Sequence, residues 1–431
     1  MKSILQSALI KKVAKSFTLY TTANLMTKAI PFLLLPVLTR VLSPSDYGLL
    51  ATFIAIVGIV NVIASMGSVE AVTRGYFDQH KEGFDFAEFV FNAIVINIGV
   101  FLLLNIAVVL LKSVISVQLS LPFSWSLLIP LIGLCSAVYL IPFKMLVIQK
   151  KPVPYGVLQI SNMFMEVLLS IVFVVFIGMG WPGRVVGMSL TKVVFLFIGI
   201  YILVKKHFCR ISVSATYIKA ILRYGIPIVF HSLGFVVVVA TGKFFLNRLV
   251  GLSATGFYSV GASVAAIIGF FVGSFNLAWM PFLYERLARP TEELKRKLVK
   301  LTYIYFFAIL SATGIFVLIS PGLLKVMVGK NFFDASQYLA WVAFGYALHG
   351  MYTMVVNYIF YEKKTHLLSL TAVVTIVLNV VFNYTLIKLN GAIGAAQATF
   401  LTFLARFVLI WYFSGKVYPM PWFSFFKRRA A

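Results

Sequence analysis

Six charged side chains lie inside or at the edges of almost wholly apolar stretches, and five of them lie deep: Lys28, Glu166, Lys192, Lys243 and Arg406, with Lys144 nearer an end. A charge held at membrane depth is costly and normally faces protein or water, so each marks a candidate site. Four cations against one carboxylate is chemistry for an anion. Ammonium and guanidinium groups donate charge-assisted hydrogen bonds to phosphate and carboxylate groups. Tyr20, Asn24 and Lys28 recur every four residues and share one helix face. Lys243 shares a face with Ser232, Val236 and Val239. Tyr20, Asn24, Lys28, Lys192, Lys243 and Arg406 are therefore the expected substrate-binding residues. Each also has a plain structural reading: Lys243 snorkelling to an interface, Arg406 tying two helices together. Glu166 completes a polar face with Gln159, Asn162 and Ser170. Two roles stay open for it: pairing with Lys28 or Lys192, or coupling transport to a proton.

The elements that hold these residues follow from composition. Hydrophobic residues make up 61% of the 431-residue chain and charged residues 11%, where a soluble domain would carry about 25% charged residues. Twelve stretches, from Phe17–Leu38 to Ala392–Phe413, have the ~20 apolar residues that a spanning helix needs. They are too long for barrel strands, and lipid satisfies no open backbone groups, so helix is forced. The expected fold class is an all-α integral membrane protein with twelve transmembrane helices. No cleavable signal pattern precedes them. Most of the 37 Lys and Arg gather at the termini and at alternate connections. The opposite side keeps only Arg40, Lys112, Arg184, Arg248, Lys325, Lys330 and Lys388. Both termini are thus expected in the cytoplasm. The net charge of +25 reads as topology and contact with anionic membrane lipid rather than nucleic acid. No HExxH, P-loop, GxSxG or CxxC pattern occurs, and no metal or other cofactor is expected. A polytopic polymerase would need a sizeable outer loop with catalytic acids, and the outer connections are short.

The stretch "LTRVLSPSDYGLLATF" (Leu38–Phe53) is echoed by "LNRLVGLSATGFYSVG" (Leu246–Gly261). Arg40, Ser45 and Gly48 map onto Arg248, Ser253 and Gly256 at one constant offset, and Gly183 onto Gly391 at the same offset. The pairs Lys150-Lys151 and Lys363-Lys364 also correspond, at a slightly longer offset. An even number of spans separates the copies, so they face one side, giving two parallel-related six-helix lobes. The expected division is residues 1–204 for the N-lobe, 205–225 for a basic cytoplasmic linker and 226–431 for the C-lobe with its basic tail. Arg40 and Arg248 read as loop anchors or as ligands. Glu70 reads as solvated at the cytoplasmic end of the second span. The stripes Thr371, Thr375, Asn379, Asn383 and His349, Thr353, Asn357 read as interhelical hydrogen bonding. Pro31 and Pro36 interrupt the first span. "RPTEELKRKL" (Arg289–Leu298) reads as a short amphipathic helix on the anionic leaflet.

The first connection closely resembles that of Wzx-type polysaccharide flippases, the O-antigen and capsule translocases. "LNVVFNYTLIKLNGAIGAAQATFLTF" (Leu378–Phe403) is similar to their last two helices, and "FNLAWMPFLYE" (Phe275–Glu285) to the end of their eighth. That family belongs to the multidrug/oligosaccharidyl-lipid/polysaccharide (MOP) superfamily. The resemblance implies two six-helix lobes around a central cavity in the bacterial inner membrane. It also implies alternating access on an undecaprenyl-diphosphate-linked oligosaccharide, with a polysaccharide polymerase as a partner acting on the product. A multidrug or cation extruder of the same fold is the alternative, and should carry an acidic cavity. The deep charges here are mainly basic.

Overall fold

The computed structural model describes residues 30–288, 290–364 and 366–422, and among these the chain forms helices and no strands. The long helices are α1 (Ile30–Val41), α2 (Pro44–Ser65), α3 (Phe86–Leu110), α4 (Leu128–Ile148), α5 (Pro152–Ile171) and α6 (Trp181–Lys205). They continue as α7 (Ala215–Leu249), α8 (Leu252–Leu287), α9 (Glu292–Met327), α10 (Ser336–Tyr361), α11 (His366–Asn390) and α12 (Ile393–Val417). Ten are long and apolar enough to cross a membrane; α7 adds an eleventh when its bent halves, Ala215–Gly234 and Val236–Leu249, are taken together. The first predicted span is described only from Ile30. Contacts divide the chain into two compact units, Met1–Val236 and Val237–Ala431.

In the N-terminal unit α2, α4 and α6 pack as the interior. α3 lies at the edge, with only 17% of its spanning window buried against 56% for α2. Leu102, Leu103 and Leu110 of α3 are accordingly exposed apolar residues, as expected where the neighbour is lipid. The start of α2 is set by local chemistry. Ser43 accepts from the Asp46 amide at 3.1 Å and donates to the Asp46 carboxylate at 2.6 Å, with Pro44 in the first turn. These are N-cap features. Arg40 is exposed and donates to the Pro36 carbonyl at 2.7 Å, a side-chain anchor within the last turn of its own helix.

Residues 205–225, expected as a linker, are ordered against the unit. Arg210 pairs with Asp85 at 2.9 Å and Glu88 at 3.2 Å; Ser212 donates to Glu88 at 3.0 Å. Asn92 receives the Ser214 amide at 2.9 Å. α7 then begins at Ala215.

In the C-terminal unit α10 is the most enclosed helix, with 72% of its spanning window buried, and it packs against α8, α9 and α12. The segment read as a separate amphipathic helix is instead mostly the first turns of α9. Thr291 caps it by accepting from the Leu294 amide at 3.2 Å, and Glu292–Lys295 and Glu293–Lys297 pairs stabilise the exposed start. No glycine or proline separates that cap from the apolar run, so one helix of 36 residues forms. At 1.5 Å per residue it spans roughly 54 Å, longer than a ~30 Å hydrocarbon core, and its charged end projects beyond.

Candidate functional site

Three helices of the N-terminal unit meet around Glu166. The polar face predicted on α5 is real: Asn162, Glu166 and Ser170 are all buried. Glu166 Oε2 accepts from Lys192 Nζ at 2.9 Å, and Asn162 Oδ1 lies 3.4 Å from the same nitrogen. Tyr139 of α4 places its ring 5.4 Å from that ammonium, a cation–π distance. The other carboxylate oxygen, Oε1, accepts from Arg184 at 2.7 Å, while Arg184 also donates to Ser170 at 2.9 Å. The side chains are only 6%, 8% and 14% exposed for Glu166, Arg184 and Lys192. The cluster thus buries two cations on one carboxylate and keeps one excess positive charge.

Arg184 corrects the charge count of the sequence. It was assigned to an outer connection, and it lies inside α6, turned toward α5. The local sequence explains this. Gly183 and Gly187 bracket Arg184, and a Cβ on either would fall 2.7 Å from facing backbone, at Phe173 in the turn after α5 and at Ser170 of α5 respectively. Small residues four apart allow two membrane helices to touch, and the Arg between them then reaches the facing carboxylate. Immediately beyond, residues Val172–Phe176 widen into a π-helical turn, a local feature often found beside functional groups.

A second feature escaped the sequence. A cavity of about 230 Å³ in the same unit is lined by Asn61 and Ser65 of α2, Glu70, Lys144 of α4 and Ser232 of α7. Among the described residues, neither Lys144 nor Glu70 has an ion-pair partner, and Asn61 Oδ1 is buried without a hydrogen bond. The α2 end that frames it turns through Met66 (φ 42) and Gly67 (φ 69). Gly225 of α7 lies so close that a Cβ there would sit 2.1 Å from the Met66 carbonyl. Lys144 stands in the fourth apolar span, and that position was the signal available.

In the C-terminal unit Lys243 is half-buried on α7, and among the described residues no carboxylate pairs with it. Beside it, a Cβ on Gly242 would meet Tyr258 and Asn383 at 3.3 Å. Arg406 of α12 donates to the Tyr352 hydroxyl of α10 at 3.3 Å, with its guanidinium 4.5 Å from that ring. Tyr352 in turn stacks on His349, so Arg406 does tie α12 to α10. The stripe on α11 is buried throughout, and Asn379 donates to Thr402 at 3.1 Å. Arg248 is exposed in the last turn of α7. Tyr20, Asn24 and Lys28 lie outside the described residues.

A sequence model described as "Polysaccharide biosynthesis protein" matches residues 13–286. The chain belongs to that family. Among its relatives is an uncharacterized membrane protein of Haemophilus influenzae, 24% identical over 84% of this chain and 87% of that one. Another is Lsg locus putative protein 1 of the same organism, 23% identical over 86% of this chain and 90% of that one. Among solved structures, the lipid II flippase MurJ in an inward closed conformation aligns with a TM-score of 0.75 at 15% identity, covering 94% of this chain and 88% of that one. An inward-facing multidrug resistance MATE transporter of the MOP superfamily aligns with a TM-score of 0.70 at 15% identity, covering 90% and 95%. This family member therefore has the MOP transporter fold. It is a multi-pass membrane protein of all-helical class.

Proposed function

We propose that the chain is a flippase that moves an undecaprenyl-diphosphate-linked oligosaccharide from the cytoplasmic to the outer leaflet of the bacterial inner membrane by alternating access, in polysaccharide biosynthesis. The observation that carries this reading is the sign of the charge inside the spans. Glu166, the carboxylate in the middle of a span, has both oxygens engaged by cations, which leaves an excess positive charge there. Lys243 adds a cation without a carboxylate partner among the described residues. A cationic drug needs an available acid, and among the described residues none stands free beside these groups. A diphosphate is matched by them. Lys28, Asn24 and Tyr20 are proposed to join Lys243 on the substrate, with Lys192 and Arg406 contributing from α6 and α12. The family match and the likeness to a lipid II flippase support the same class of cargo. A polysaccharide polymerase is the proposed partner that takes up the flipped product, and the protein itself performs no chemical step.

The test is mass spectrometry of lipid-linked intermediates in a strain lacking the gene. One complete undecaprenyl-diphosphate oligosaccharide should accumulate on the inner leaflet and disappear on complementation. Unchanged lipid-linked pools together with new drug sensitivity would establish the extruder instead.

Orientation is proposed from the Lys and Arg distribution, with both termini cytoplasmic. Single cysteines at Ser45 and Val213, in a background with Cys135 and Cys209 replaced, should label from opposite sides. Val213 is 69% exposed, so its accessibility is not in question. Labelling of both from one side of intact cells would overturn this topology and the parallel repeat with it.

A further inference from the structure

Two helices of the N-terminal unit end beside one another. α4 and α6 are each finished by a residue in the left-handed region, Lys150 (φ 54) and His207 (φ 54). In each, the next amide reaches back into the last turn: Lys151 N to Leu146 O and Phe208 N to Leu203 O, both at 2.9 Å. This matched closure leaves Lys151 and Lys206 lining one shallow cleft of about 540 Å³, together with Tyr76, Gln149 and Phe208.

The cleft is electrostatically incomplete. The Lys206 ammonium is held below the ordinary lysine range, first by burial and then by Lys151 beside it. Among the described residues neither ammonium pairs with a carboxylate. Asp78, two residues from Tyr76, is already engaged by Arg74 at 3.4 Å and Lys81 at 2.8 Å. Gln149 Oε1 is buried with no hydrogen-bond partner, and its amide can present either its oxygen or its NH2 to the cleft. Helix C-termini attract cations, and that accounts for a lysine near each end. It does not account for two ammonium groups drawn together beside an unsatisfied amide.

We propose that this cleft is a binding site for a lipid phosphate headgroup at the membrane surface, held between Lys151 and Lys206. A phosphate there turns a like-charge contact into two charge-assisted hydrogen bonds. The Tyr76 and Phe208 rings supply apolar surface for the stem that carries it. Two lipids bear this chemistry: an anionic bilayer phospholipid and a polyprenyl diphosphate.

The test uses the full chain in nanodiscs of phosphatidylcholine with increasing phosphatidylglycerol, and retained lipid is counted by native mass spectrometry. Wild type should retain phosphatidylglycerol. A variant with Lys151→Gln and Lys206→Gln should bind it on the order of tenfold more weakly, since each lysine at an anionic surface contributes a comparable share. A variant with Lys219→Gln and Arg223→Gln, a basic pair lining a separate surface of α7, should bind like wild type. Displacement of the retained phospholipid by a short-chain polyprenyl diphosphate assigns the site to the carrier. Failure to displace assigns it to the bilayer phospholipid. Equal retention by wild type and the Lys151/Lys206 variant overturns the proposal. So does an equal loss in the Lys219/Arg223 variant, which would mean a diffuse surface potential. Should the double variant not fold in pure phosphatidylcholine, Lys151→Gln alone replaces it: that lysine is exposed, and unchanged binding on its removal is equally decisive.

Discussion

Glu166→Gln is expected to destabilise the protein by about 3–5 kcal/mol, the range for removing one partner of a buried ion pair. The substitution preserves shape and removes the one carboxylate that, among the described residues, neutralises two buried cations. Arg184 and Lys192 would then face each other's field with a neutral amide between them. The partners should not be equivalent. Lys192→Gln leaves the Glu166–Arg184 pair intact, at 2.7 Å and also joined to Ser170, so abundance should hold. Adding Arg184→Gln to Glu166→Gln removes one stranded cation and should recover part of the loss. Membrane abundance and melting temperature in detergent, measured across these three variants, check the ordering. If Glu166→Gln accumulates and melts like wild type while export loses its pH dependence, the ion-pair account is wrong. Glu166 is then a titrating carboxylate that couples transport to protons. The Lys192 variant carries separate information. At normal abundance, reduced export places Lys192 on the cargo, whereas full export leaves it as a counter-ion alone.

This cluster also marks where sequence reading succeeds and where it stops. Glu166 and its polar face were legible because a helix repeats every three to four residues and lipid tolerates few polar positions. Lys192 was legible as a partner for the same reason. Arg184 was not, because counting basic residues by side places a cation near a span end in the outer connection. Only the approach of α6 to α5 through Gly183 and Gly187 turns it inward. The ten spanning helices, and the bent α7 as an eleventh, followed from apolar length, since that constraint acts locally. The start of α9 did not, because a charged amphipathic run is the same string whether it lies on a membrane surface or extends a spanning helix. The ion pairs of Arg210 left no mark in the sequence, because its partners, Asp85 and Glu88, lie over a hundred residues earlier and no local period announces them. Lys144 shows a different failure. Its place within an apolar span was visible, but its facing was not, and a cavity with Glu70 and Asn61 is a property of three packed elements.

Lys243→Met is expected to have the opposite signature from Glu166→Gln: normal or raised abundance with export cut by about thirtyfold or more. A half-buried ammonium without a carboxylate partner among the described residues is a liability to the fold. Methionine fills similar volume without the desolvation cost. If the diphosphate is the partner that this charge waits for, its removal takes one desolvated charge pair from the bound state, a loss of roughly 2–5 kcal/mol. Lys243→Arg should keep part of the activity, because the charge survives while the donor geometry changes. Lys28→Ala is expected to match Lys243→Met in both readouts. The competing partner for Lys28 was Glu166, and that carboxylate already has Arg184 on one oxygen and Lys192 on the other. A third cation there would go without compensation, whereas a substrate phosphate would supply it. Surface glycan and the inner pool of lipid-linked oligosaccharide, each normalised to membrane abundance, measure the effect. A Lys243→Met protein that exports like wild type at equal abundance removes Lys243 from the substrate path. A Lys28→Ala protein that loses abundance, with both abundance and export restored by adding Glu166→Gln, returns Lys28 to the fold and leaves the cargo to be held by other cations.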